Sequence, residues 1–384
     1  LNELHQDLLE QVLSWLPIAA FFRVTSVCKR WRSLADSATF RRACRRREPW
    51  FYMVDDDDGG GGGRPVIFDS AERNWKVLKR RDESFSDFIP VAASGGLICL
   101  HRGDGEFAVG SPISGSYRRI KSLASTGKRR VRAIAMRSEA EWFKLVVVSG
   151  ELTNLTFREY DAVSDQWGSE NSLTREPKDW EEEEEEEEAD EQEDCAQYYL
   201  SKSGDVVSTE FQRSPSKKYA GILTVDNGNN EILNFLSSSG SIIACNLKRR
   251  NFFVYPRLLP AFSEYSIDLV ECSGKMHVVL LSEFMETASL RIWVWDEWLR
   301  RWRQTGAMPP WMSHEFSGKN LDINCTGLRR QVLVCGNSAD IWGYYLWDME
   351  ENRWVELPEF HSSGGQRREF VSAFSMEPRI EDAI

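Results

Sequence analysis

The stretch Val294-Trp295-Asp296-Glu297-Trp298-Leu299-Arg300-Arg301-Trp302 contains the unit that decides the fold. An apolar run ends in Asp296, and Trp302 follows six residues later. This spacing is typical of a β-hairpin, because an aspartate at a strand end can accept hydrogen bonds from the N–H groups of the turn. The aromatic residue then opens the return strand and covers the turn.

The same unit recurs along the chain. Three further copies end in tryptophan: Asp69 to Trp75, Asp161 to Trp167 and Asp348 to Trp354. Two weaker copies run from Ser111 to Tyr117 and from Asn246 to Phe252. The six units follow one another at intervals of 42, 50, 85, 50 and 52 residues, which is the period expected of propeller blades.

The repeat predicts a mainly β chain folded as a β-propeller. Six blades are favoured, and seven are predicted if the long interval between Asp161 and Asn246 hides a degenerate blade. Short apolar runs such as Leu97–Leu100 supply buried strands between the hairpins. The last such run, Phe370–Phe374, is expected to pair with the first blade, because closing the ring removes its free strand edges.

The acidity of the chain is confined to one segment. The formal net charge is −12, and the stretch 178–194, with its run of eight glutamates, accounts for all of it. We interpret the region at about 177–195 as a disordered, self-repelling insertion; a clamp for a basic partner is the alternative. Because the remainder is formally neutral, we expect no direct contact with nucleic acid.

The first forty residues have a different pattern. Leu8, Leu9, Val12, Leu13 and Leu16 recur at helical spacing. Pro17 is expected to stop this helix and to open a second one, and Ser26 is the predicted N-cap of a third. Three helices in so few residues do not bury a sufficient core, so this module is expected to complete its core on another chain or on the following domain.

Three segments of this module resemble an F-box, which docks onto a Skp-type adaptor: Leu4-x-x-Asp7-Leu8-Leu9, Leu13-x-x-Leu16-Pro17 and Val27-Cys28-Lys29-x-Trp31. The usual Leu-Pro start is Leu4-His5 here. The later hairpins, the run Ser94–Leu100, Met308-Pro309 and Phe374–Pro378 resemble the kelch-type and F-box-associated propellers of plant F-box proteins. The expected domains are an F-box at 1–48 and a kelch-like propeller at 49–384.

This resemblance implies a substrate-recognition subunit of an SCF-type cullin–RING ubiquitin ligase, which itself has no catalytic role. The F-box would bind the adaptor, and through it the cullin–RING core, while the propeller would hold an unknown target protein. The alternative is a non-degradative adaptor or transcriptional co-regulator that holds a transcription factor. The adaptor contacts implied are Leu4, Leu8, Leu9, Leu13, Leu16, Pro17, Val27, Lys29 and Trp31.

Target contacts are expected from loops on one propeller face, since loops carry recognition. The most aromatic candidate is Pro310–Phe316, with Trp311, His314 and Phe316 as the contact residues. Its alternative interpretation is an apolar plug between blades.

Signals for catalysis, cofactors and metals were sought and none was found. The five histidines are scattered, and no metal-binding spacing, P-loop, dinucleotide fingerprint or nucleophile elbow occurs. The eight cysteines contain no C-x-x-C pair, which favours a reducing compartment, the nucleus or cytoplasm. We therefore expect no enzyme activity, no cofactor and no membrane contact. The chain begins with Leu1, so a longer natural chain is expected.

Overall fold

The computed structural model describes residues 5–37, 39–40, 48–55, 64–79, 81–103, 105–123, 130–139, 142–177, 198–200, 206–208, 216–226, 228–237, 239–259, 265–285, 287–338, 340–362 and 364–378. Nearly all of the predicted acidic insertion, and the predicted adaptor contact Leu4, lie outside these ranges.

Three short helices open the chain: α1 (Gln6–Ser14), α2 (Ile18–Val24) and α3 (Lys29–Arg32), followed by a 3₁₀ turn at Ser33–Asp36. They enclose a core of their own, made by Leu9, Leu13, Phe21, Leu34 and Phe40. Pro17 occupies the N-cap of α2, in line with its predicted role.

The prediction of Ser26 as the cap of α3 is wrong, because Cys28 occupies that position. The hydroxyl of Ser26 donates instead to the carbonyl of Arg23, at 2.7 Å. It therefore serves the end of α2, where carbonyl groups lack helical partners, and not the start of the next helix.

The rest of the described chain forms six antiparallel blades of four strands, which confirms the favoured blade count. From the inside outward, blade 1 consists of β30 (Phe370–Met376), β1 (Trp50–Asp55), β2 (Val66–Asp69) and β3 (Asn74–Val77). Blade 2 consists of β4 (Ile89–Ser94), β5 (Leu97–Arg102), β6 (Glu106–Ser111) and β7 (Ser116–Arg119). Blade 3 consists of β8 (Val131–Ser138), β9 (Phe143–Glu151), β10 (Asn154–Asp161) and β11 (Gln166–Trp167), and β12 (Asn171–Ser172) also pairs with β10.

Blades 4 to 6 follow in the same order. Blade 4 consists of β16 (Ile222–Val225), β17 (Glu231–Leu236), β18 (Ile242–Asn246) and β19 (Asn251–Val254), with β13 (Thr174–Arg175) parallel to β19. Blade 5 consists of β20 (Tyr265–Cys272), β21 (Lys275–Phe284), β22 (Thr287–Asp296) and β23 (Arg301–Ala307). Blade 6 consists of β24 (Asp322–Leu328), β25 (Gln331–Asn337), β26 (Trp342–Asp348) and β27 (Arg353–Glu356).

Shorter elements lie between the blades. They are two hairpins, β14 (Tyr198–Leu200) with β15 (Val206–Ser208) and β28 (Phe360–His361) with β29 (Arg367–Arg368); one helical turn, α4 (Pro310–Ser313); and 3₁₀ turns at Glu83–Phe85 and His314–Phe316. The long interval in the repeat contributes a two-stranded hairpin to the described part of the chain. It therefore belongs to an insertion before blade 4 and adds no seventh blade there.

The ring closes as the sequence predicts. Strand β30 pairs antiparallel with β1, placing Trp50 opposite Met376 and Tyr52 opposite Phe374. The C-terminal strand thereby becomes the inner strand of blade 1 and contacts the inner strands β24 and β4 on its two sides. Because the first and last strands of the propeller pair in one blade, the ring has no unpaired end blade.

Strand direction gives the ring two different faces. Because the strands alternate in direction, the turns that follow the first and third strands of a blade lie on one side, which we call the turn face. It includes the Asp-to-aromatic turns 70–73, 112–115, 162–165, 247–250, 297–300 and 349–352. The opposite loop face carries the remaining connections, including 103–105, 152–153 and 308–321.

The repeated hairpin has the expected hydrogen bonds. The Oδ1 atom of Asp296 accepts from the N–H groups of Trp298 and Leu299, at 3.1 and 3.0 Å. Asp69 and Asp348 bind their turns in the same way. Arg300 then adopts a left-handed backbone conformation with φ 47°, which reverses the chain into the return strand.

The tryptophan of the hairpin also joins neighbouring blades. Trp302 of blade 5 donates its indole N–H to the carbonyl of Pro256, which follows blade 4, at 2.7 Å. Trp75 and Trp167 make the equivalent bonds to carbonyls that follow blades 6 and 2, at 2.9 and 2.7 Å. In blade 6 the indole nitrogen of Trp354 is buried without a hydrogen-bond partner among the described residues.

This difference between tryptophans predicts unequal effects of one substitution. Trp302→Phe removes a hydrogen bond and leaves the Pro256 carbonyl unsatisfied, so we expect it to lower the free energy of unfolding by about 1–3 kcal/mol. Trp354→Phe removes a donor that has no partner and should cost less. Urea unfolding of both variants provides the measurement, and equal losses would contradict the assigned role of the interblade bond.

Candidate functional site

An apolar stripe remains exposed on the N-terminal helices. Leu8, Val12 and Trp15 are 51, 48 and 83% exposed, and their i, i+4 and i+7 spacing aligns them along one side of α1 and its C-cap. Val27, in the turn before α3, is 67% exposed. Exposed apolar surface that is contiguous on a helix is typical of a binding site. We call Leu8, Val12, Trp15 and Val27 the helical stripe.

The predicted adaptor contacts divide into two sets. Leu8, Pro17, Val27 and Lys29 are exposed, and Leu16 and Trp31 are partly buried. Leu9 and Leu13 are 0 and 3% exposed and lie in the core of the helical module. Val12 and Trp15 were not among the predicted adaptor contacts, although counting four and seven residues onward from Leu8 would have found them.

One ion pair among the described residues connects α2 to the propeller on the turn face. Arg23 of α2 lies 2.8 Å from Glu72, in the hairpin turn of blade 1, and Glu72 also pairs with Lys76. Glu48, two residues before β1, lies 3.3 Å from Arg330, in the turn between β24 and β25. The charge of Glu48 chiefly, with Glu350 and Asp348, raises the pKa of the Arg330 guanidinium.

The contacts of Glu72 with Lys76 and Arg23 predict a pH-dependent contribution to stability. The hydrogen bond from Lys76 chiefly, with the charges of Lys76 and Arg23, lowers the pKa of Glu72 below its ordinary value of 4.5. A lowered carboxyl pKa contributes stability above 4.5 that is lost as the pH falls through the pKa of the folded state. We expect the stability difference between wild type and Glu72→Gln to shrink as the pH falls below 4.5. Urea unfolding between pH 7 and 3.5 measures it, and a difference independent of pH would refute the assignment.

The predicted target segment Pro310–Phe316 is helical and not an open loop. Trp311 is 72% exposed and His314 is exposed, whereas Phe316 is 2% exposed. Phe316 and Met312 pack between blades 5 and 6, so these two side chains match the alternative interpretation of an apolar plug. Trp311 and His314 lie on the loop face.

Two more exposed apolar side chains lie in the same region and were missed by the sequence analysis. Phe284, the last residue of β21, and Met285, in the turn that follows, are 70 and 77% exposed. The turn is tied to the segment after α4, because the Gly318 N–H donates to the carboxylate of Glu283 at 2.9 Å. Trp311, His314, Phe284 and Met285 therefore share one sector of the loop face.

Several titratable side chains of the strands are buried. His101 and His277 are 6 and 4% exposed, and burial lowers the pKa of both imidazoles. Burial raises the pKa of the Cys99 and Cys335 thiols, the latter to about 12. Within the described ranges, no three His, Cys, Asp or Glu side chains are grouped to hold a metal ion. Nor does any helix there have the length and apolarity to span a membrane.

The side chain of Lys217 lies at the axis of the propeller, which no pattern in the sequence predicted. Residues 216–221 enter the ring before β16, and Ala220 forms a parallel bridge with Ile134 of β8. From this strap the side chain of Lys217, which is 5% exposed, reaches three other blades. Its Nζ atom lies 3.8 Å from Asp268 of blade 5, donates to the carbonyl of Cys325 in blade 6, and lies 5.2 Å from the ring centre of Phe374 in blade 1.

Comparison with known proteins agrees with this architecture. The F-box domain family matches residues 1–43. F-box only protein 13 of Arabidopsis thaliana is 43% identical over 400 residues, which cover 100% of this chain and 86% of that protein. F-box only protein 6 of the same plant is 23% identical over 97% of this chain and 72% of its own length.

A third Arabidopsis thaliana relative carries the description F-box/kelch-repeat protein and is 34% identical over 125 residues, 30% of this chain and 29% of that protein. The 43% identity to F-box only protein 13 extends over the whole chain, helices and propeller together. This chain, an N-terminal F-box followed by a six-bladed propeller, therefore belongs to the plant F-box proteins.

Proposed function

We propose that this protein is the substrate-recognition subunit of an SCF-type cullin–RING ubiquitin ligase. The observation that carries the proposal is the helical stripe on a module whose family docks onto a Skp-type adaptor. The core of the module contains five buried apolar side chains among the described residues, too few for strong independent stability. Burying the stripe on an adaptor would extend this core across two chains.

The adaptor contacts proposed are the exposed members of the set implied by the F-box resemblance, Leu8, Pro17, Val27 and Lys29, together with Val12 and Trp15. Leu16 and Trp31 border this surface and are partly buried. Leu9 and Leu13 act indirectly, because they hold α1 in the orientation that presents the stripe. The cullin–RING core would attach through the adaptor.

The target protein is proposed to bind the loop face, at Trp311 and His314 with Phe284 and Met285 beside them. Phe316 supports this surface from beneath, since it is buried between the blades. The F-box leads into β1 at Trp50, which pairs with Met376 on the turn face. This arrangement supports a division in which the adaptor is held toward one side and the target on the other.

In this proposal the chain positions the target protein and has no catalytic role. Holding target and charged conjugating enzyme in one assembly raises the effective concentration of target lysines. Ubiquitin transfer itself would be carried out by other subunits. The protein would act in the nucleus or cytoplasm, where such ligases meet their targets.

Two linked measurements test the proposal. The full chain should co-purify with a Skp-type adaptor and a cullin, and proteins captured through the loop face should have shorter half-lives when the adaptor surface is intact. Failure to bind any Skp-type adaptor would refute the ligase assignment. Adaptor binding with unchanged target half-lives would favour the non-degradative co-regulator.

A further inference from the structure

A cavity of about 520 Å³ occupies the axis of the propeller on the turn face. All six inner strands line it near their C-terminal ends, and Gly95 and Gly274 line it at the turn face. Lys217 and Ala220 of the strap form part of its wall on the axis. Its volume lies within the range of small-molecule sites, and neither the helical stripe nor the proposed target surface includes it.

The positive charges in the cavity wall are mostly compensated. Arg137 lies 3.0 Å from Glu231 and 3.5 Å from Glu139. Lys217 is paired with Asp268 and donates to a carbonyl. Lys275 is exposed, so its ammonium group is accessible to water.

One negative charge in the wall has no such compensation. The partly buried carboxylate of Glu271 accepts one hydrogen bond, from the Gly274 N–H at 2.6 Å, and forms no ion pair with any other described residue. Burial chiefly, and the nearby charge of Glu377, raise the pKa of Glu271. Glu377 itself is paired with Arg329 at 2.9 Å. A desolvated carboxylate without a cation is unfavourable, and a bound cation would remove that cost.

The remaining walls suit an aliphatic stem. Apolar residues contribute to the lining of the same cavity, among them Leu269, Val270, Leu223 and Met136. Lysine and arginine side chains pack their methylene groups on such surfaces and direct the charged end to a polar partner.

We propose that the axial cavity binds a primary amine or guanidinium group on a short aliphatic stem, with Glu271 as its counter-ion. The same chemistry is offered by a free alkylamine and by a lysine or arginine side chain of a bound polypeptide. The site is separate from both surfaces of the proposed function, and its test does not depend on the adaptor.

The test titrates each ligand into the 384-residue chain and detects binding by NMR or calorimetry. The probes are n-butylamine, butylguanidine and the capped tripeptide acetyl-Gly-Lys-Gly-amide, with n-butanol as a neutral control. We expect the cationic probes to bind and the alcohol not to bind. Tighter binding of the tripeptide would identify a polypeptide side chain as the source, and tighter binding of butylamine a free amine.

Two carboxylates provide matched variants. Glu271→Gln should weaken the binding of the cationic probes about tenfold, which corresponds to the loss of one charge-assisted contact. It should fold normally, because the neutral amide keeps the hydrogen bond from Gly274. Glu283→Gln alters a carboxylate that also accepts from a glycine N–H, but on the loop face, and should change nothing.

Butyrate is included as an anionic probe. Three outcomes would overturn the proposal: no binding of any cationic probe, equal binding of the cationic probes to wild type and Glu271→Gln, or tighter binding of butyrate that is lost in Lys275→Gln. The last would identify an anion site. Thermal unfolding of each variant confirms that the folded chain is compared.

Discussion

Replacing Leu8 and Val27 together by aspartate should abolish co-purification with a Skp-type adaptor while the propeller stays folded. Both side chains are more than half exposed in the free chain, so the substitutions remove no core contact. Each would place a charge in an apolar interface, and truncating a central interface residue alone costs about 2–4 kcal/mol. Two such losses correspond to at least about a thousandfold weaker binding.

The propeller offers matched controls for this experiment. Leu299 and Val163 are 57 and 78% exposed on the turn face, outside the F-box. The double variant Leu299→Asp with Val163→Asp carries the same changes in residue type and charge, and its adaptor binding should equal that of wild type. Undiminished binding of the Leu8 and Val27 variant would refute the proposed surface.

A different variant separates contact from folding. Leu9 is fully buried in the core of the helical module, so Leu9→Asp should unfold the helices and abolish binding indirectly. Its helical circular dichroism signal should fall, whereas that of the Leu8 and Val27 variant should not. An aspartate pair at Leu8 and Leu9 would confuse the two effects.

Replacing Lys217 by methionine should lower the free energy of unfolding by about 3–5 kcal/mol, the usual cost of removing one partner from a buried ion pair. Lys217 and Asp268 are 5 and 4% exposed, and they join the strap to blade 5. Without the lysine, the Asp268 carboxylate would keep the N–H groups of Cys325 and Leu269 but lose its buried cation. The Cys325 carbonyl would also lose a donor.

The neighbouring lysine is the control for this change. Lys218 is exposed, with its ammonium 5.9 Å from the ring centre of Tyr219, so Lys218→Met should alter stability by less than about 0.5 kcal/mol. Urea unfolding measures both. The double variant Lys217→Met with Asp268→Asn should cost less than the sum of the single changes, because it removes both charges. Additive losses, or an unchanged Lys217→Met, would show that the pair does not hold the axis.

The hairpin repeat was readable in the sequence because its determinants are local. Asp296 and Trp302 are six residues apart, and the turn between them depends on bonds to the next two or three residues. Repeating that unit predicts blades, and the strand Phe370–Met376 closes the ring because a propeller leaves one position for it. The F-box was recognisable for a similar reason, since its motif lies within about forty residues.

The division of α1 into a buried and an exposed side needed the tertiary structure. Leu8 and Leu9 are adjacent and equally apolar, yet one is 51% exposed and the other 0%. Helical periodicity places them on different sides of the helix, but it does not say which side meets Phe21 and Phe40. That choice depends on how three helices pack together.

The sequence by itself determined the β-hairpin repeat and the N-terminal helical module, because short-range hydrogen bonds and apolar periodicity specify them. It favoured six blades over seven, and the pairing of the strands decided the number. Only the tertiary structure decided that Lys217 lies on the axis and that Glu271 lines a cavity without a cationic partner among the described residues. Lys217 bonds to Cys325, 108 residues away in the chain. Contacts of that range arise from closure of the ring, and no local pattern of residues encodes them.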